Sequence, residues 1–217
     1  MSVPIGELLA RAPLYAILDT SIRPELSPAE ILEPLLRAGV KLIQYRNKEP
    51  FRKAQLEQCA ALARRVGAFG GKFIVNDRAD VAKLCGAAGV HLGQDDLPPD
   101  KARLFLEQAS VVGFSTHNLE QAREAVFLPI DYIAIGPIFP TASKKEPDPV
   151  VGLEMIARVR SLTTLPLVAI GGIKLENASA VMQAGADAVA VIGDLLQAAD
   201  IEDRARQFLA ALRTCRS

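Results

Sequence analysis

The chain has 217 residues, half of them hydrophobic, which is enough for one large core and too few for a second catalytic domain beside it. Lys plus Arg number 25 and so do Asp plus Glu, so no net field favours nucleic acid and any basic site is local. No stretch approaches the roughly 20 apolar residues of a membrane span, the start MSVPIGELLARAPLY lacks the pattern of a signal peptide, and Cys59, Cys85 and Cys215 lack paired spacing, so disulfides and structural zinc are not expected and a cytoplasmic protein is.

Residues 1–13 read as a short helix over the bottom of the fold. Eight short apolar runs follow, at 15–18, 42–45, 73–75, 90–92, 111–114, 132–135, 167–170 and 188–192, separated by amphipathic stretches of helix length. Parallel strands buried on both faces and joined by helices give this alternation. Ser27, Pro28 and Glu30 supply an N-cap, a first-turn proline and an N3 acid for the first long helix, and Gly39 stops it; Gly89 and Gly185 are read as the same kind of stop. An open doubly wound sheet would carry G-x-G-x-x-G after its first strand, where this chain has LDTSIRPEL. Eight units in about 200 residues favour closure, so we expect a (β/α)₈ TIM barrel over residues 14–213 and one domain over 1–217.

The polar residues of interest follow the strands. Gln44, Arg46 and Lys48 alternate, so they can share one direction at the end of strand 2, where a guanidinium fork and an ammonium suit a diphosphate. An ordinary charged strand end explains them equally well. Strand 3 ends in Asn76-Asp77-Arg78 and strand 4 in Gln94-Asp95-Asp96; neighbouring strands lie about 4.8 Å apart, so Asp77 and a carboxylate of strand 4 can converge on Mg²⁺. Helix capping is the competing explanation for each acid. His117, after strand 5, is read as a cap or packing residue before a general base, and His91 as structural. The loop 136–150 is the longest in the chain, and its hydroxyls and lysines suit a lid closing on an anion. Gly171-Gly172 after strand 7 and Gly193 after strand 8 let backbone N–H groups approach a phosphate, as recurs in this fold.

With Q-x-R-x-K, N-D-R, G-V-H-L-G-Q-D-D-L-P, S-T-H, G-P-I-F-P-T-x-S-K, A-I-G-G-I and G-A-D-x-V-A-V in this order, the chain closely resembles the thiamine-phosphate synthase family over about residues 15–212. The resemblance implies a barrel enzyme that joins hydroxymethylpyrimidine diphosphate to thiazole phosphate with release of diphosphate. It implies that Gln44, Tyr45, Arg46, Asn47, Lys48, Asn76, Ser115 and Lys144 bind the pyrimidine diphosphate, with Arg46, Lys48, Ser115 and Lys144 acting in catalysis. It further implies that Asp77 and Asp96 hold one Mg²⁺ per subunit, and that Thr141, Ala142, Ser143, Gly172, Ile192 and Gly193 hold the thiazole phosphate. Ser143 stands where the family commonly has Thr, Gly193 where Ser is frequent, and Tyr45 and Asn47 where Leu and an acid are common. The expected partners are small-molecule substrates, with no nucleic acid and no membrane, and a homo-oligomer is left open. A thiazole tautomerase of the same superfamily is one alternative, and retention of Arg46, Lys48, Asp77, Asp96 and Lys144 argues against it; a non-catalytic sensor of thiamine phosphates is a second, which diphosphate release would separate.

Overall fold

A computed structural model describes residues 3–141 and 148–215. Helix α1 (Ile5–Arg11) precedes β1 (Leu14–Asp19), and seven helix–strand pairs follow: α2 (Pro28–Ala38) and β2 (Leu42–Arg46), α3 (Lys53–Ala68) and β3 (Lys72–Asn76), α4 (Ala79–Leu84) and β4 (Gly89–Leu92), α5 (Pro99–Phe105) and β5 (Val111–Thr116), α6 (Leu119–Ala125) and β6 (Tyr132–Ile135), α7 (Leu153–Arg160) and β7 (Leu167–Ile170), α8 (Leu175–Gln183) and β8 (Ala188–Val191). The short α9 (Gly193–Leu196) and the long α10 (Ile201–Thr214) complete the ring of helices. Every strand pairs in parallel with its sequence neighbours, and β8 pairs with β1 through Leu14–Val189, Tyr15–Ala190 and Ala16–Val191, which closes an eight-stranded barrel. The (β/α)₈ fold expected from the apolar runs is the fold of the chain.

Alternation along each strand divides the core in two. One set of side chains, including Leu18, Ile43, Tyr45, Phe73 and Ile133, meets the helices. The other, including Tyr15, Ile17, Leu42, Ile74, Tyr132 and Val168, fills the barrel. Helix α1 packs Ile5, Leu8 and Leu9 against this interior set, so the N-terminal segment closes the bottom as its sequence suggested.

The helix signals hold at α2. Ser27 accepts from the Glu30 N–H, the Glu30 carboxylate accepts from the Ser27 N–H, and Gly39 follows in the left-handed region at φ 97°. Gly185 ends α8 in the same way at φ 109°. Gly89 does not. Helix α4 ends at Leu84, five positions earlier, Gly86 takes the left-handed turn at φ 69°, and Gly89 opens β4. Its requirement is space, because a Cβ there would lie 2.0 Å from the Val111 carbonyl oxygen on the next strand.

Candidate active site

The site lies where the strands end in polar residues. At the end of β1, Asp19 is 1 % exposed; its Oδ1 accepts from the Ser21 N–H at 2.9 Å and the Ser21 hydroxyl at 2.6 Å, and its Oδ2 pairs with the Arg46 guanidinium on β2. A buried carboxylate that lost this partner would be left as an uncompensated charge, so the pair fixes Arg46 against the barrel rim. Asp19 was not anticipated. It follows Tyr15 and Ile17 in the inward alternation of β1, and that period is the signal that could have found it.

The expected alternation on β2 is present. Gln44 is buried inside the barrel, with Nε2 donating to the Tyr15 hydroxyl at 2.8 Å, and Arg46 stands above it on the same face. Tyr45, expected among the substrate-binding residues, sends its side chain the other way. It packs among Phe51 and Phe73 between sheet and helices, and its hydroxyl donates to Gln58 on α3 at 3.2 Å. Asn47 lies beyond the strand, where Oδ1 accepts from Thr20 at 3.3 Å and from the Glu49 N–H at 3.0 Å, so it shapes the loop. Lys48 reaches across to the Asp77 carboxylate.

Asp77 departs from ordinary backbone: with φ 63° it is the non-glycine residue of positive φ among those described. Its N–H donates to the His91 carbonyl at 2.8 Å, and the next N–H folds back to the Asn76 carbonyl, so β3 ends in a tight turn. Helix α4 starts at Ala79 with no side-chain cap, and α5 starts at Pro99 likewise. The capping explanation therefore fails for both acids. Asp96 folds back instead, Oδ2 accepting from the Gly93 N–H at 2.7 Å. Partial burial pushes the Asp96 carboxyl above its ordinary range, and the neighbouring Asp77 carboxylate pushes it the same way. A carboxyl raised by burial and by a second carboxylate beside it belongs to a donor pair suited to a divalent cation. Among the described residues no three of His, Cys, Asp and Glu gather around one point, so such a cation would take its other ligands from substrate oxygens and water.

Asn76, partly buried, ends β3 beside His91, its register partner on β4. Ser115 lies near the end of β5, with Oγ 2.8 Å from His91 Nε2 and its carbonyl accepting from the Gln94 side chain at 2.5 Å. His91 is buried, and desolvation lowers its pKa to about 4, so the imidazole is neutral. His117 ties strand to loop: Nδ1 lies 2.7 Å from the Gly136 carbonyl and 3.6 Å from Asp148. That is the packing role expected of it.

Across the mouth, a pocket of about 240 Å³ is lined by Thr141, Gly172, Lys174, Ile192, Gly193 and Gln197, among others. It gathers four of the six residues expected around the thiazole phosphate; Ala142 and Ser143 lie outside the described residues, as does Lys144. Gly171 and Gly172 take φ 97° and 63°, and Cβ atoms there would meet Pro137 Cα at 2.5 Å and the Pro140 carbonyl oxygen at 2.4 Å. These glycines let the loop after β6 lie directly on the end of β7, where Ile138 and Phe139 N–H groups reach the Ile170 and Gly171 carbonyls. The first turn of α9 starts at Gly193, and its early N–H groups have no intrahelical acceptor. Asp194 accepts from the Leu175 N–H at 3.0 Å and so holds α9 to the start of α8.

The mouth thus has two halves: cations and carboxylates on strands 2 to 4, and a small pocket with backbone donors on strands 6 to 8. The family model described as thiamine monophosphate synthase matches residues 14–195. A thiamine-phosphate synthase from Koribacter versatilis is 48 % identical over 205 residues, covering 93 % of this chain and 96 % of that protein. One from Lawsonia intracellularis is 40 % identical, covering 93 % of each. A solved thiamine phosphate pyrophosphorylase from Pyrococcus furiosus superposes with a TM-score of 0.88 at 31 % identity, covering 97 % of this chain and all of that one. By sequence over nearly its whole length, and by fold, the chain belongs to the thiamine monophosphate synthase family.

Proposed function

We propose that this protein condenses hydroxymethylpyrimidine diphosphate with thiazole phosphate to give thiamine phosphate and diphosphate. The observation that carries the reading is the two-part mouth: one half suits a diphosphate with a cation, the other a lone phosphate. The names of the relatives support the same reaction.

The chemistry asks for charge neutralisation. As the methylene C–O bond breaks, its electron pair leaves with the diphosphate, and the Arg46 fork, the Lys48 ammonium and Lys144 take up that charge. Ser115 adds a hydroxyl and Asn76 an amide at the end of β3, while Gln44, buried beneath Arg46, and Asn47, in the loop beyond β2, support the same half of the mouth. The electron-rich aminopyrimidine stabilises the methylene cation, which the thiazole nitrogen attacks through its lone pair to form the C–N bond. No proton is lost from that nitrogen, so the step needs no general base and none is assigned. Asp77 and Asp96 would hold one Mg²⁺ per subunit, which when bound supplies further neutralisation of the diphosphate oxygens. Thr141, Gly172, Ile192 and Gly193, with Ala142 and Ser143, position the thiazole phosphate. The free thiols of Cys59, Cys85 and Cys215 suit a reducing compartment, and a cytoplasmic location is part of this reading.

Asp77→Ala and Lys144→Ala are each expected to slow turnover by about 100-fold or more while the far-ultraviolet circular dichroism stays that of the wild type. Near-normal rates in both would reject the assignment.

A further inference from the structure

Five side chains from five strands form one hydrogen-bonded chain through the barrel. Gln44 Nε2 donates to the Tyr15 hydroxyl at 2.8 Å, the Tyr15 and Tyr132 hydroxyls are 3.0 Å apart, Tyr132 lies 2.8 Å from His91 Nδ1, and His91 Nε2 lies 2.8 Å from Ser115 Oγ. All but Ser115 are buried. In such a place every proton needs an acceptor. Because Gln44 donates, the Tyr15 oxygen accepts and its own proton passes to Tyr132, whose proton in turn goes to Nδ1 of His91. If Nδ1 carried the hydrogen instead, the Tyr132 hydroxyl would turn back on Tyr15, and the Tyr15 proton would have no acceptor within the chain. The count puts the imidazole hydrogen on Nε2, directed at Ser115 Oγ. The Ser115 hydroxyl proton is then left for a group at the mouth.

The barrel is also shaped to admit this chain. At Gly113, two residues before Ser115 on β5, a Cβ would lie 2.0 Å from the Tyr132 ring carbon Cζ and 2.3 Å from its hydroxyl. Glycine there leaves room for the tyrosine ring, which stacks on the His91 ring with centroids 5.5 Å apart and planes 19° apart.

We propose that His91 is a positioning residue, held by Tyr132 and Tyr15 as the Nε2–H tautomer, that turns the Ser115 hydroxyl into a hydrogen-bond donor toward the pyrimidine diphosphate. The substrate half of this statement rests on the synthase reading above; the tautomer does not. The tautomer is fixed by the barrel core before any ligand arrives, so the hydroxyl is directed in advance and costs no reorientation when the diphosphate departs.

The test begins with full-length wild-type protein carrying ¹⁵N-histidine. The chain has two histidines, so comparison with His117→Asn assigns both ring spectra. The expected result is a bare Nδ1 and a protonated Nε2 for His91; the reverse tautomer overturns the proposal, whether or not any variant folds. Kinetics of Ser115→Ala, Tyr132→Phe and the double variant follow. Each single variant is expected to lower kcat/KM for the pyrimidine diphosphate about tenfold and leave the KM for the thiazole phosphate unchanged, and the double variant is expected to be no worse than Ser115→Ala. Additive effects, or losses shared by both substrates, overturn the proposal, because a merely structural Tyr132 would act that way. Wild-type protein that releases no diphosphate refutes the synthase reading; release together with the reversed tautomer refutes this inference alone.

Discussion

Asp77 and His91 are both held in states a surface residue would not adopt, and both states are set by neighbours. Asp77 takes a left-handed backbone and sits beside Asp96, whose carboxyl it raises, two costs that make sense at a ligand site. His91 is neutral because burial penalises its charged form, with the Asp77 carboxylate acting weakly in the opposite direction. Its pKa of about 4 lies below the unfolded value near 6.5, so between those values the unfolded chain binds a proton that the folded chain refuses. The stability from His91 is whole above pH about 6.5 and is expected to fall by about 1.4 kcal/mol per pH unit down to about pH 4. Urea unfolding of wild type and His91→Gln at several pH values in that window measures the difference; parallel curves would show that His91 titrates normally.

At the scale of the elements, the glycines separate into those that need room and those that do not. Gly89→Ala drives a Cβ to 2.0 Å from backbone on β5, which cannot move without opening the sheet, and is expected to cost at least about 3 kcal/mol. Gly67, near the end of α3, has nothing within 4 Å of a Cβ, and Gly67→Ala is expected to stabilise by about 0.5–1 kcal/mol. Chemical denaturation midpoints of the two variants check the contrast. Gly193 is roomy as well, a Cβ meeting only the Gln197 side chain at 3.6 Å. Gly193→Ser is therefore expected to fold normally and to lower the KM for the thiazole phosphate a few-fold by adding a hydroxyl to the pocket; an unchanged or higher KM would remove Gly193 from that subsite. The elements themselves were legible because strands buried on both faces read as unbroken apolar runs. Their ends were less so: β1, β2, β3 and β5 run on through Asp19, Arg46, Asn76 and Thr116, polar residues that end an apolar run but not a strand. Gly89 was misread because A-G-V looks the same whether the glycine turns or merely makes space.

For the molecule as a whole, the barrel brings residues far apart in sequence to one mouth, and this limited what the sequence could say. Alternation placed Gln44 and Arg46 together, and the same period turns Tyr45 away, whereas the family resemblance had included it. The Tyr15–Tyr132 contact spans 117 positions, and no local pattern announces it. The pairing of Asp19 with Arg46 likewise depends on the β1–β2 register. Among the described residues no helix is long and apolar enough to cross a membrane.

The two-part mouth predicts a reaction that consumes both substrates together. The most direct measurement is diphosphate release by wild-type protein given Mg²⁺ with the pyrimidine diphosphate alone, the thiazole phosphate alone, and both. The account predicts stoichiometric diphosphate and thiamine phosphate with both substrates, and loss of the reaction on chelation of the metal. No diphosphate above background with both substrates present would contradict it.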